Sequence, residues 1–173
     1  MEQSNESKHL SRSDVQQKIE SNIIDRISGR SSGDFRITIN RDQNNELKLM
    51  ESAKIKVDFI GADGDGKTVL GEIFVRQGKF LSGQKHKIGN DVLKLISYRK
   101  ENPEVRLIVI IGCGIHGDKS VDIDAFTELE KSNSWLSKAI KAWDIELVHE
   151  YLTGDEFRNL SEAVSNQKKG IKV

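Results

Sequence analysis

Two carboxylates, Asp58 and Glu72, are spaced so that they could bind a metal ion together. Glu72 interrupts the apolar run Val69–Val75, where an unpaired carboxylate would cost several kcal/mol. If the chain between them turns near Gly64 or Asp65, both lie on one face of a β-hairpin, with Cβ atoms roughly 5–8 Å apart. Carboxylates at that range repel unless they are protonated or share a cation, and oxygen-only ligation selects a hard ion such as Mg²⁺. We therefore expect a metal site here.

The hydrophobic pattern predicts the elements that would position this pair. Apolar residues recur at helical spacing from Ser13 to Gly29, and alternation or apolar runs predict the strands. The predicted elements are a helix from Ser13, strands at 35–39 and 54–59, a further short strand at 47–50, a strand at 69–76 forming a hairpin with the one before it, a helix beyond Gly78 that ends at Pro103, a buried strand at 105–111, a helix at 135–143, a strand at 145–151 and a last helix at 157–164.

The string Val57-Asp58, followed by Gly71-Glu72-Ile73 and a helix, resembles the active-site region of PD-(D/E)XK nucleases over roughly residues 13–111. The resemblance implies the restriction-endonuclease-like fold, an α/β fold whose mixed β-sheet is flanked by α-helices, with the core order α-β-β-β-α-β. It implies that Asp58 and Glu72 hold Mg²⁺ or Mn²⁺, which activates a water to attack a phosphodiester. DNA is the expected substrate, with RNA as the alternative. An acid from the first helix often joins such sites, and Glu20 is the candidate.

The sequence departs from the family pattern at two positions. Val57 stands where many members have proline, and Phe74 stands where the family lysine is expected. The cationic role can come from the following helix, where Gln84, Lys87, Asp91 and Lys94 recur at i+3 or i+4. Lys87 is the predicted substitute, a migrated lysine that would stabilise the phosphate, and Gln84 is predicted to hydrogen-bond the site or the substrate.

Charge is balanced overall, because 27 basic and 27 acidic residues cancel, but it is unevenly distributed. Between residues 76 and 100, seven lysines and arginines are opposed only by Asp91. This stretch is either a solvated helix face or a surface that neutralises phosphates. The residues predicted to contact nucleic acid are Arg76, Lys79, Lys85, His86 and Lys94.

Two other interpretations stay open. The segment Gly61–Thr68 fits the P-loop pattern of nucleotide-binding proteins, although the residues after Thr68 form a poor helix and Asp63 and Asp65 would repel phosphates. Alternatively, the empty lysine position at Phe74 indicates a catalytically inactive nuclease-fold module that binds DNA. The secondary structure after residue 67 distinguishes the P-loop from the nuclease, because a P-loop requires a helix there and the nuclease requires a strand.

The remaining features concern organisation. We expect a flexible tail at 1–12 and a single domain at 13–173. Cys113 is a lone thiol expected to be buried, within a predicted glycine-rich loop at 112–118, and the lack of an apolar leader or span predicts a cytoplasmic protein without membrane contact. A homodimer through the helix that carries Trp135 and Trp143 is a hypothesis.

Overall fold

The computed structural model describes residues 11–28, 37–39, 45–49, 53–118 and 123–170, with side chains up to residue 167. The expected tail therefore falls almost entirely outside the described residues, as does Phe35 of the first predicted strand. The elements in chain order are α1 (Arg12–Ser28), β1 (Ile37–Ile39), β2 (Glu46–Leu49), β3 (Ala53–Lys56), β4 (Phe59–Asp63), β5 (Thr68–Val75), α2 (Ser82–Glu101), β6 (Arg106–Ile115), α3 (Asp124–Lys131), α4 (Trp135–Ala142), β7 (Glu146–Leu152) and α5 (Gly154–Gly170).

A mixed sheet with the strand order β1-β4-β5-β6-β7 forms the centre of the fold. β1, β4 and β5 pair antiparallel, whereas β5, β6 and β7 pair parallel. Leaving aside the separate hairpin β2–β3, the order α1-β1-β4-β5-α2-β6 is the predicted α-β-β-β-α-β. The α/β class with a mixed sheet flanked by helices is thus confirmed.

Each face of the sheet buries its own apolar cluster. Alternate residues of β5 point to opposite faces, so Leu70 and Phe74 pack with α2, α3 and α4, whereas Val69 and Ile73 pack with α1 and α5. On α1 the predicted stripe Val15, Ile19, Ile23 and Ile27 is buried. The helix begins one residue earlier than predicted, because Ser11 and Asp14 cap it reciprocally: Ser11 N donates to Asp14 Oδ2 and Asp14 N to Ser11 Oγ.

Three sequence interpretations need correction. The predicted strand at 54–59 is two strands, because β3 pairs with β2 and the chain changes partner at Val57 and Asp58 before β4 begins. Gly112 and Cys113 belong to β6 and not to a loop; a Cβ on Gly112 would lie 2.7 Å from Ile23 Cδ1, so the glycine lets α1 cross close to the strand. Cys113 is buried, as expected.

The third correction concerns the region after β6. Helix α3 was not predicted, because only Ala125 and Leu129 mark its buried side. Trp135 lies against Gly89 of α2 yet remains 60% exposed, and Trp143 is 43% exposed. Neither tryptophan belongs to the core, and the homodimer stays a prediction.

Phe59 and Gly71 face each other across β4 and β5. A Cβ placed on Gly71 would lie 1.9 Å from Phe59 Cζ, so the phenyl ring occupies the space that any side chain at position 71 would need. Phe59 itself is 1% exposed. This fit fixes the register of the hairpin immediately beside the predicted metal-binding pair.

Candidate active site

The site lies along the part of β5 that extends beyond β4. β4 begins at Phe59 opposite Gly71, so no strand in the described part of the chain pairs with Glu72–Val75 on that edge. Side chains satisfy the backbone there: Asp58 Oδ2 accepts a hydrogen bond from Ile73 N at 2.7 Å, and Val75 O accepts one from Gln16 Nε2 at 3.1 Å. The edge is therefore bordered by α1 on one side and α2 on the other.

The predicted pair Asp58 and Glu72 comes together at this edge. The observed register pairs Phe59 with Gly71, and continuing it by one residue puts Asp58 opposite Glu72. The Asp58 backbone is held at both ends, since its N donates to Gly71 O at 3.1 Å and its carbonyl accepts from Asn45 Nδ2 at 2.8 Å. The hairpin β2–β3, which starts beside Asn45, is thereby tied to the carboxylate.

Glu72 is almost fully buried, with 3% exposed surface. Lys94 Nζ lies 3.0 Å from Glu72 Oε1 and 2.7 Å from Asp91 Oδ1, and it donates to Lys56 O at 2.9 Å. Burial, together with the negative charges of Asp58 and Asp91, raises the pKa of Glu72 to about 8, although Lys94 opposes the shift. One ammonium group is thus paired with two carboxyl groups, those of Glu72 and Asp91.

Glu20 of α1 belongs to the same electrostatic environment. Burial and the charge of Asp58 raise its pKa to about 7, and Lys87 partly offsets this rise. The structure therefore groups Glu20 with Asp58 and Lys87. Burial and, after it, the charge of Asp58 make both Glu20 and Glu72 hold protons more tightly.

The donor set can be compared with the needs of a metal ion. The described residues contain no group of three or more His, Cys, Asp and Glu side chains that could hold one. Mg²⁺, however, commonly binds through one or two carboxylates and keeps several waters. Lys94 Nζ lies 3.0 Å from the buried Oε1 of Glu72, and this oxygen has no further hydrogen-bond partner among the described residues. Asp58 and Glu72 fit an ion of this kind.

The predicted cationic substitute, Lys87, lies beside Phe74. Lys87 Nζ is 5.6 Å from the centroid of the Phe74 ring. Gln84 is partly committed to its own helix, because its Oε1 accepts a hydrogen bond from Leu81 N at 3.0 Å and so caps α2. Lys87, Gln84, Phe74 and Glu20 all line one cavity of about 610 Å³ between α1 and α2.

The five predicted phosphate contacts do not form one surface. Lys85 pairs with Glu128 at 2.5 Å, and Lys94 points inward to Glu72. Arg76 Nε donates to Lys79 O, and burial and the charge of Arg12 lower the pKa of Arg76. Lys79 and His86 are exposed.

A basic surface that the sequence interpretation missed lies on β2–β3. Lys48, Lys54 and Lys56 are exposed, and the pairings Glu46–Lys56 and Lys48–Lys54 put them on one face with Glu46. The alternation of charged and apolar residues in both strands was the available signal.

The P-loop interpretation is wrong. Thr68–Val75 is a strand and not a helix. The preceding loop is a hairpin turn closed by Asp63, whose Oδ1 accepts hydrogen bonds from Asp65 N at 3.0 Å and from Lys67 N at 2.9 Å. Amides that would bind a phosphate are thus bound by a carboxylate.

No helix among the described residues is both long and apolar enough to cross a membrane.

Comparison with known proteins gives a fold and no family. No family model and no curated protein matches the chain. The chain is similar to an XisH family protein from Nostoc punctiforme, with 11% identity and a TM-score of 0.50, over 82% of this chain and 94% of that chain. This likeness shows a shared fold.

Two other solved structures are matched with lower scores. One is an EndoMS–dsDNA complex, with 12% identity, a TM-score of 0.43 and coverage of 87% of this chain and 49% of that chain. The other is a repair endonuclease from Pyrococcus abyssi, with 15% identity, a TM-score of 0.39 and coverage of 87% and 50%. The chain spans about half the length of each of these two proteins.

Proposed function

We propose that the chain is a metal-dependent nuclease that hydrolyses DNA phosphodiester bonds at the open edge of β5. The observation that carries the proposal is the convergence of Glu20, Asp58 and Glu72, two of them with raised pKa values, beside Lys87. Like charges are held together at a cost, and a bound cation would relieve it. In this proposal the chain is a PD-(D/E)XK nuclease whose lysine has moved from position 74 to α2.

Asp58 and Glu72 would hold Mg²⁺ or Mn²⁺. Such an ion lowers the pKa of a bound water and neutralises charge on the phosphate. Asp58 is well placed to keep its orientation, because Ile73 N holds Oδ2 and the backbone of Asp58 is bonded on both sides. Lys94 and Asp91 would orient Glu72 from behind, which makes Lys94 a positioning residue and not a phosphate contact.

Glu20 and Lys87 would act on the reacting groups. A carboxylate with a pKa of about 7 can accept a proton near neutral pH, so Glu20 would take the proton of the attacking water. The ammonium group of Lys87 would stabilise the negative charge that accumulates on the phosphate. The strand residue beside Lys87 is the apolar Phe74, so position 74 itself offers this lysine no carboxylate.

DNA as the substrate is supported by the hairpin β2–β3. Lys48 and Lys54 are directly opposite each other, and like charges in that position carry a penalty that Glu46, whose Oε2 lies 3.5 Å from Lys54 Nζ, offsets only in part. A polyanion bound across this face would reverse the penalty, and Lys56 would add to its binding. The bond from Asn45 to Asp58 connects the same hairpin to the proposed metal site.

The test is cleavage of plasmid and single-stranded DNA in Mg²⁺ or Mn²⁺. Asp58→Asn and Glu72→Gln should abolish cleavage, whereas Asp65→Asn, at the exposed hairpin turn, should not change it. Wild-type protein that binds DNA but does not cut it with either metal would refute the nuclease. The alternative would then be a catalytically inactive DNA-binding module, which is favoured by the apolar residue Phe74 at the lysine position. Equal cleavage by wild type and Asp58→Asn would refute the site.

A further inference from the structure

The cavity beside Glu20 and Lys87 has a lining that a scissile phosphate alone does not require. It measures about 610 Å³ and extends from the active site toward the start of α1 and the end of α5. One wall is apolar and is formed by Phe74, Phe80 and Ile88. This volume is in the range of small-ligand pockets.

The rest of the lining is amide and cationic. Gln16, Asn166 and Gln167 supply carboxamides, which both donate and accept hydrogen bonds. Arg12 lines the same cavity with Lys87; its Nη1 donates to Gln167 Oε1 at 3.3 Å, whereas its buried Nε has no hydrogen-bond partner among the described residues. Arg12 and Lys87 thus bring two positive charges to the cavity lining, beside the carboxyl group of Glu20.

We propose that this cavity holds one unpaired nucleotide of the DNA strand that is cut, next to the scissile phosphate; this inference rests on the proposed nuclease function. An unpaired base offers a flat apolar face for the Phe74–Phe80 wall and exposed edges for the carboxamides. Its phosphate would pair with the guanidinium charge of Arg12, which lines the cavity. A base within a duplex is stacked and paired, and does not enter a cavity of this size.

The inference is tested by binding without cleavage. A labelled 12-nucleotide single strand and a blunt 12-base-pair duplex are titrated in EDTA with wild type, Asn166→Trp and Ser165→Trp. Both positions are exposed on α5, but only Asn166 lines the cavity, so the tryptophan at 165 is the matched control. We expect Asn166→Trp to weaken single-strand binding about 10-fold, the loss of roughly one stacked base, and to leave duplex binding unchanged.

Several outcomes would overturn the inference. These are single-strand binding by Asn166→Trp equal to that of wild type, equal weakening by Ser165→Trp, or equal weakening of duplex binding. Circular dichroism of each variant establishes that it is folded. Arg12→Met serves as a second probe that leaves the cavity volume nearly unchanged; it should lower the salt dependence of single-strand binding by about one phosphate contact. Tighter binding of RNA of the same sequence would overturn the assignment to DNA.

Failure of this inference is distinguishable from failure of the nuclease. Wild type that binds the single strand through the cavity but cuts no DNA in Mg²⁺ or Mn²⁺ refutes only the nuclease. Conversely, if the Asn166→Trp variant cuts a single strand with the same KM as wild type, only the nucleotide site is refuted.

Discussion

The ammonium group of Lys87 lies over the ring of Phe74, 5.6 Å from its centroid, so a helix supplies the positive charge at a strand position that has none. The same lysine partly offsets the rise in the pKa of Glu20 that burial and Asp58 cause. Lys87→Met should therefore reduce kcat for DNA cleavage by about 10²- to 10³-fold, the usual cost of losing one preorganised charge at a reacting group. Because Lys87 is exposed, the free energy of unfolding should change little. Partial recovery by Lys87→Arg would support a charge role, and a kcat equal to that of wild type would exclude Lys87.

Glu72 should make the metal-free protein less stable as pH rises. Its pKa is about 8 in the fold and about 4.5 when unfolded, so the folded state binds the extra proton and the free energy of unfolding falls between these values. From about pH 5.5 to about pH 8 the fall should be on the order of 3 kcal/mol. Urea unfolding in EDTA measures it. Glu72→Gln should make the profile less steep, with the remaining slope due to Glu20, whereas Glu104→Gln, at an exposed position, should leave it unchanged.

Magnesium should oppose this loss of stability. An ion that binds only the folded protein raises the melting temperature with its concentration, and the carboxylates must release protons to bind it. The rise in Tm should therefore be larger at pH 8 than at pH 5.5. Thermal unfolding of wild type and Asp58→Asn in increasing Mg²⁺ checks this. An equal rise in both proteins would show that the ion binds elsewhere.

Lys94 should matter for folding more than for DNA affinity. Replacing it with Met removes the cation from buried Glu72 and Asp91 and leaves Lys56 O without its donor, which should cost about 2 kcal/mol. Adding Asp91→Asn should recover part of the loss, because one of the two acids is then neutral. Urea unfolding of the single and double variants measures the coupling free energy between Lys94 and Asp91. A large change in DNA affinity with unchanged stability would instead make Lys94 a phosphate contact.

The lysines of β2–β3 should determine the salt dependence of DNA binding. Neutralising Lys48 and Lys54 together, as Gln, should reduce the slope of log K against log salt by about 1–2. Fluorescence anisotropy from low to moderate salt measures the slope. Lys138→Gln with Lys141→Gln, also exposed but on α4, is the matched control. A slope that falls equally in both double variants would remove the hairpin from the interface.

Local patterns predicted much of this architecture. A turn at Gly64 and Asp65 is encoded by the residues themselves, and a turn there is enough to predict that Asp58 and Glu72 share an edge. The stripe on α1 was equally clear, because each of its members is buried by the same sheet face.

What the sequence could not show depends on contacts between elements. Whether Lys94 points to solvent or to Glu72 depends on how α2 is rotated against the sheet, and the periodicity of α2 does not encode that rotation. The commitment of Gln84 to capping required the position of Leu81, and the commitment of Lys85 required the unpredicted helix that carries Glu128. Which of the lysines on α2 faces the candidate site therefore depends on the tertiary fold.

The close fit of the Phe59 ring over Gly71 has a consequence for the timing of assembly. Shifting the strands by one residue would bring a side chain against the ring, so the hairpin can close in only one alignment. That alignment also sets Asp58 beside Glu72. An apolar contact that forms during folding thus positions the two carboxylates before any substrate binds. The proposed metal ligands are therefore preorganised.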